Sequence, residues 1–262
     1  MNEQKTLQEK ACLSYWFPKL AATGVLVPRT EIVTTDVELW RMLDGDGTIP
    51  GLNEFADQLI NAVRTVGGLP AFLRTGHLSG KHDWSTTCHV PAAHAGITFS
   101  NDVYMRRTLL SHVCALVEWS HMVDLMGLPT KVWAVRELLK LRASFTAYRG
   151  MPIAREFRLF IADGEVACVH PYWPKKALEE GNPSIDDWYD VYSRLMTLNS
   201  QENHALRETA RQVADVFAAD GVWSLDLAQH DDGRWFAIDM APAELSFHWS
   251  ACQNERRWKM MR

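Results

Sequence analysis

Residues Trp223-Ser224-Leu225-Asp226-Leu227-Ala228-Gln229-His230-Asp231-Asp232-Gly233-Arg234-Trp235-Phe236-Ala237-Ile238-Asp239-Met240-Ala241 read as two strands joined at an aspartate-glycine turn. A two-residue Asp232-Gly233 turn pairs Asp231 with Arg234. Stepping outward brings Leu227 opposite Ile238 and Asp226 opposite Asp239. Side chains alternate between the two faces of a strand. Trp223, Leu225, Leu227, Phe236, Ile238 and Met240 then share an apolar face, and Ser224, Asp226, Ala228, Ala237, Asp239 and Ala241 share the other. Two carboxylates oppose each other among small side chains. At ~5 Å and an effective dielectric of ~20 their repulsion is on the order of 3 kcal/mol, and directly opposed like charges weaken a sheet. A cation between them, with a ligand above, resolves the conflict. All-oxygen ligation suits Mg²⁺, which uses one or two carboxylates plus substrate phosphates. The competing reading is a slipped register or a bulge that turns one aspartate to solvent.

Outward from this hairpin, hairpins alternate with helices. Ala154 to Ile161 and Glu165 to Val169 flank the turn signal Asp163-Gly164, and Ser200 is placed to cap a helix with Leu206, Ala210, Val213 and Phe217 on one face. Earlier in the chain, Gly24 to Val33 reads as a strand interrupted by Pro28. A helix is expected over Asn53 to Val66, stopped by Gly67-Gly68, and a second over about Thr108 to Met126, closed by Gly127 and Pro129. Ala71 to Arg74 and Val132 to Leu139 read as apolar strands. The pattern predicts an α+β fold with largely antiparallel sheets.

Composition bounds the function. The 262 residues are 47% hydrophobic, enough for a large core, and eleven tryptophans are expected mostly within it. A net charge of −5 gives no global basic field, which argues against a primary nucleic-acid role. Five scattered cysteines without CxxC spacing argue against a disulfide framework or zinc ribbon. With no long apolar run and no signal-like order in Met1 to Lys5, a cytoplasmic, non-membrane protein is expected.

Leu73-Arg74-Thr75-Gly76-His77-Leu78-Ser79-Gly80-Lys81-His82 puts two cations around small residues. Its backbone amides are suited to cradle a phosphate that Arg74 and Lys81 neutralise; the alternative is an exposed loop with ordinary surface cations. It is not a Walker A loop, being one residue short and carrying His82 where Ser or Thr would touch magnesium. In Arg155 to Ile161, Glu156, Arg158 and Phe160 share one face, so a carboxylate and a guanidinium sit two residues apart; a surface ion pair is the alternative. His82, Cys88, His89 and His94 match no zinc spacing and read as a loop packing its own polar groups. Pro171-Tyr172-Trp173-Pro174-Lys175-Lys176 and Ser246-Phe247-His248-Trp249 are suited either to line a pocket or to pack a lid.

In this order the pieces resemble an ATP-grasp module. The ordered set Phe72-Leu73-Arg74-Thr75, Ser79-Gly80-Lys81-His82-Asp83-Trp84, Arg155-Glu156-Phe157-Arg158, Pro171-Tyr172-Trp173-Pro174 and Asp239-Met240-Ala241 is similar to small ATP-grasp proteins, many of them phage-encoded. A more distant likeness is to the eukaryotic ATP-grasp chaperones that assist assembly of a translation initiation factor. The resemblance runs from about Gly24 to Trp249 and implies two lobes with mainly antiparallel sheets clasping ATP and Mg²⁺. It implies a substrate-side subdomain over 1–70, a small lobe over 71–137 and a C-terminal lobe with the metal-binding hairpin over 138–262. Arg74 and Lys81 would meet the phosphates, backbone groups of Glu137, Leu138 and Leu139 the adenine, and Glu156 the nucleotide. Asp226 and Asp239 fall on the two metal-binding acids, and Arg74 and Arg158 would absorb charge during catalysis.

Two departures stand out. The family strand usually ends Glu-x-Asn, whereas here it reads Asp239-Met240-Ala241, leaving Glu244 or Ser246 as substitutes. Ser224 occupies a position where many ligases carry arginine, a charge Arg158 is placed to supply from a neighbouring strand. The resemblance implies a ligase joining a carboxylate to an amine or other nucleophile through an acyl phosphate, the acceptor being a small molecule or a protein. The other readings are an ATP-binding assembly factor for a partner protein and a phosphoryl transferase.

Overall fold

The computed structural model describes residues 6–45, 48–94, 97–98, 102–122 and 131–254. The chain forms two compact units. One comprises 28–139 with 148–151, and the other 1–27, 140–147 and 152–262. Residues 28–70 therefore do not stand apart from 71–137 as the sequence reading expected, because strand pairing joins them in one sheet. The expected division at 137/138 falls two residues from the change of unit at 139/140. Among the described residues no helix is long and apolar enough to cross a membrane.

The N-terminal helices are α1 (Leu7–Ala11) and α2 (Leu13–Ala22). Thr6 and Glu9 close a capping box on α1, and Leu13, Trp16, Phe17 and Leu20 of α2 are buried at helical spacing. Neither helix was expected from the sequence. The segment from Gly24 is extended only from Thr30, where β1 (Thr30–Thr34) begins.

The middle unit continues with α3 (Leu52–Thr65), β2 (Ala71–Thr75), β3 (His89–Val90), β4 (Ala93–His94), β5 (Ile97–Thr98), α4 (Asp102–Met122) and β6 (Val132–Glu137). Gly67 and Gly68 end α3 as expected. With φ at +111° for Gly67, its amide donates to the Arg64 carbonyl and the Gly68 amide to that of Val63, the bonding of a Schellman motif. The antiparallel sheet runs β1-β6-β2-β3. Leu73, Trp133 and Val135 pack against Phe55, Leu59 and Val63 of α3 and Leu109, Val113 and Leu116 of α4. The expected helix end at Met126, Gly127 and Pro129 lies outside the described residues.

The second unit contains β7 (Ala143–Ala147), β8 (Met151–Ala154), β9 (Glu156–Ala162), β10 (Glu165–Pro171), α5 (Lys175–Glu180), α6 (Trp188–Leu195), α7 (Ser200–Phe217), β11 (Trp223–Gln229) and β12 (Trp235–Pro242). Its main sheet is antiparallel in the order β10-β9-β11-β12. The turn at Asp163 and Gly164 has φ of 53° and 77°, as a tight hairpin requires. Asn199, not Ser200, caps α7: its side chain accepts from the Glu202 amide at 2.9 Å while Glu202 accepts from the Asn199 amide at 3.0 Å. Leu206, Ala210, Val213 and Phe217 of α7 are buried as the spacing predicts.

Candidate functional site

The decisive hairpin reaches the expected carboxylate pairing by a different path. Asp232 does not adopt positive φ, so the two-residue turn is not made. Instead the Gly233 amide donates to the His230 carbonyl at 3.0 Å, Gly233 takes φ of 94°, and the His230 amide donates to the Arg234 carbonyl at 2.8 Å. This three-residue loop pairs Gln229 with Trp235, Ala228 with Phe236 and Leu227 with Ala237. A bulge at Ile238 then restores the register, and Asp226 lies opposite Asp239 after all. The expected pairing of Leu227 with Ile238 is corrected, and Phe236 and Ala237 exchange faces: Ala237 joins the core side with Leu227, and Phe236 joins Ala228.

Strand β9 lies beside β11 with Arg158 opposite Asp226, Glu156 opposite Ala228 and Phe160 opposite Ser224. His170 of β10 lies opposite Arg158. Directly opposed residues share a face, so His170, Arg158, Asp226 and Asp239 form one row across four strands. The Arg158 Nε and Nη2 donate to Asp226 Oδ1 and Oδ2, both at 2.8 Å. Asp226 is 2% exposed. Burial works against the charged guanidinium, but Asp226, Tyr172 and Asp239 hold Arg158 protonated above arginine's ordinary range. Its guanidinium also stacks 4.7 Å from the Tyr172 ring centre. Asp239 is partly exposed, and its Oδ1 accepts from the Met240 amide at 3.0 Å.

The cation that offsets the carboxylate repulsion is therefore built into the sheet. It also brings a positive charge to the first acid where Ser224 leaves none. Ser224 Oγ instead lies 2.6 Å from Ser246 Oγ. At the end of the row, burial and the neighbouring His248 push His170 down to about 4, leaving it neutral. The donor set fits Mg²⁺: Asp239 offers a partly exposed carboxylate, and each Asp226 oxygen keeps a lone pair beyond the one facing Arg158. Glu156 is 4% exposed on the same face, two residues from Arg158.

In the middle unit, Arg74 and Arg136 are each 4% exposed. Arg74 lies opposite Ala134 and Arg136 opposite Phe72, so both guanidiniums occupy one sheet face. Arg136 was read from the sequence only as half of a charge pair. Its period-two spacing from Ala134, once paired with Arg74, is the signal that identifies it. Its Nε donates to Thr30 Oγ1 at 3.1 Å. Lys81 and Arg74 both act electrostatically on the Cys88 thiol, which burial pushes up to about 12. The loop between them is not an open amide cradle. The Gly76 amide donates to the Val132 carbonyl at 2.7 Å, and the His77 and Leu78 amides to Thr75 Oγ1 at 3.3 and 2.9 Å. Phosphate recognition here falls to side chains. Glu137 accepts from the Arg29 amide and Nε at 2.7 and 2.9 Å, and the Glu137 amide donates to the Arg29 carbonyl; Leu138 and Leu139 follow the strand end. His82 stacks on Tyr148 and His89 on Trp84, as a loop packing its own rings would; the side chain of His94 lies outside the described residues.

No curated protein matches the sequence. Among solved structures, Cdc123 from Schizosaccharomyces pombe is 14% identical, with 92% of this chain and 87% of that one covered and a TM-score of 0.48. A RimK domain ATP-grasp protein from Sphaerobacter thermophilus is 13% identical over 89% of this chain and 60% of its own, at TM-score 0.44. N5-carboxyaminoimidazole ribonucleotide synthetase from Thermotoga maritima is 11% identical over 90% and 42%, at TM-score 0.41. The chain thus spans less than two thirds of the latter two proteins. A family model described as an ATP-grasp domain, family 3 of its clade, matches residues 65–261, well over half of the chain, and the protein therefore belongs to that family of ATP-grasp proteins.

Proposed function

We propose that the protein is a Mg²⁺-dependent ligase that uses ATP to join a carboxylate to an amine or another nucleophile. The observation that carries this reading is the row Arg158–Asp226–Asp239, a guanidinium and two carboxylates on adjacent strands of an ATP-grasp chain. A substrate carboxylate oxygen attacks the γ-phosphorus of ATP, breaking its bond to the bridging oxygen and releasing ADP. The nucleophile then attacks the acyl carbon, loses its proton, and phosphate leaves. When bound, Mg²⁺ supplies charge neutralisation at the phosphates. Asp239 holds it, with Asp226 as second acid, while Arg158 fixes the Asp226 carboxylate and meets charge developing on the transferred group. Arg74, Lys81 and the neighbouring Arg136 neutralise phosphate oxygens. Backbone groups at Glu137, Leu138 and Leu139 take the adenine, and Glu156 contacts the nucleotide.

ADP and phosphate release that depends on an added carboxylate and nucleophile tests this proposal. Formation of AMP and pyrophosphate would overturn it. A second reading, an ATP-binding assembly factor with a protein partner and little turnover, is favoured by Ala241 in place of the family asparagine and by Ser246 being engaged with Ser224. Tight ATP binding without turnover on any acceptor, together with nucleotide-dependent retention of one partner protein, would select it.

A further inference from the structure

A second constellation lies on the same sheet face, at its β10 edge. Cys168 and His170 stand two residues apart on β10, so both side chains emerge on one face, opposite Phe160 and Arg158 of β9. After β12 the chain returns: the Cys252 amide donates to the Trp249 carbonyl at 2.9 Å, closing a turn that brings His248 and Cys252 together. Two further bonds seat this segment on β10, from Trp249 Nε1 to the Pro171 carbonyl at 3.3 Å and from Asn254 Nδ2 to the Ala167 carbonyl at 3.0 Å. One donor atom from each of Cys168, His170, His248 and Cys252 then falls within 4.8 Å of the other three.

We propose that these four side chains bind a structural Zn²⁺ ion. Two thiolates and two imidazoles are the soft and borderline donors that select zinc in a tetrahedral site, and four protein donors leave no open position, as in structural rather than catalytic zinc centres. With Zn–S near ~2.3 Å and Zn–N near ~2.0 Å, tetrahedral donors lie roughly 3.3–3.8 Å apart. Cys168 Sγ and His248 Nε2 are 3.3 Å apart, and the His170 and His248 ring centres 5.2 Å apart. All four cysteine and histidine side chains are buried or partly buried, and both cysteines are free thiols. His170 Nε2 is buried without a hydrogen-bond partner, a costly state for an imidazole nitrogen that ligation removes. A cluster held by hydrogen bonds alone leaves that nitrogen unexplained.

The consequence reaches the Arg158 row. His170 is the residue opposite Arg158, and the segment bearing His248 places the Phe247 carbonyl 3.5 Å from Arg158 Nη1. The ion would hold the returning segment on the edge strand beside the two carboxylates. The sequence signal is Cys-x-His followed far downstream by His-x₃-Cys, which a search for paired cysteines passes over.

The test uses the tag-free full chain, purified under reducing conditions. Elemental analysis is expected to find one zinc per chain. Replacing it with Co²⁺ should produce the intense visible bands of tetrahedral cobalt and a sulfur-to-cobalt charge-transfer band. Cys168→Ser and Cys252→Ser should each lose the zinc and the charge-transfer intensity in proportion, whereas Cys88→Ser should keep both. Should the variants fail to fold, the wild-type spectrum and zinc content decide alone. Absence of stoichiometric zinc after incubation with the ion, an octahedral cobalt spectrum, or a Cys168–Cys252 disulfide in the protein as isolated would each overturn the assignment.

Discussion

Arg158 and Asp226, on adjacent strands, form a two-point ion pair in which both carboxylate oxygens accept from the guanidinium at 2.8 Å. Side-chain exposures of 15% and 3% place it largely out of water. Removing one partner strands the other as a buried charge, which costs roughly 3–5 kcal/mol. Arg158→Ala is expected to destabilise the chain by about that much in urea unfolding. Arg158→Met combined with Asp226→Leu should cost less than Arg158→Ala alone. Equal losses would show that charge burial is not the cause.

Asp239 is the partly exposed acid of the same row. Asp239→Asn relieves repulsion with Asp226, so the melting temperature is expected to hold or rise slightly. Under the ligase reading, nucleotide affinity in Mg²⁺ should fall by about tenfold or more, ~1.4 kcal/mol, with little change in EDTA. Titration calorimetry of a non-hydrolysable ATP analogue under both conditions measures the difference, and an equal effect in both would remove Asp239 as an ion ligand.

Gly80 precedes Lys81 at φ of 67°. A Cβ there would come within 2.8 Å of Leu116 Cδ2 and 2.9 Å of Thr87 Cβ, and Thr87 Oγ1 already donates to the Gly80 carbonyl at 2.6 Å. Strain and crowding together predict a loss of about 1–3 kcal/mol for Gly80→Ala. Because the same change displaces Lys81, it should weaken phosphate binding as well; a stable variant with unaltered ATP affinity would contradict both expectations.

Arg155 ties β9 to the start of α7. It donates to both Glu202 oxygens, at 2.6 and 3.0 Å, and to the Leu195 carbonyl at 2.8 Å. Hydrogen bonding from Arg155 lowers the Glu202 carboxyl from 4.5 to about 2. A carboxyl whose pKa is depressed by folding stabilises the folded state fully above its unfolded value. Here that contribution is present above about pH 4.5 and is lost as pH falls toward 2. Glu202→Gln should be less stable near neutrality and should flatten the acid limb of a stability-against-pH profile over that window.

Local patterns carried much of the architecture. The glycine pair after Val66, the Asp163-Gly164 turn and the buried stripe of α7 were all readable, because each is settled by neighbours within a few residues. The Asp226–Asp239 pairing was also readable, although the turn was one residue longer than expected and the Ile238 bulge took up the difference. Helices α1 and α2 were not read from the sequence. The loop after Arg74 looked open until its amides found Val132 and Thr75.

By itself the sequence determined the α+β alternation, the family likeness and the carboxylate hairpin, since side-chain period and turn chemistry act over short stretches of chain. Tertiary structure alone decided that Arg158 would meet Asp226 across 68 residues and that Cys168 would meet His248 across 80. Those encounters depend on which strands pair and on where a bulge resets their register. Both are outcomes of burying the whole sheet at once, so no short stretch of sequence records them.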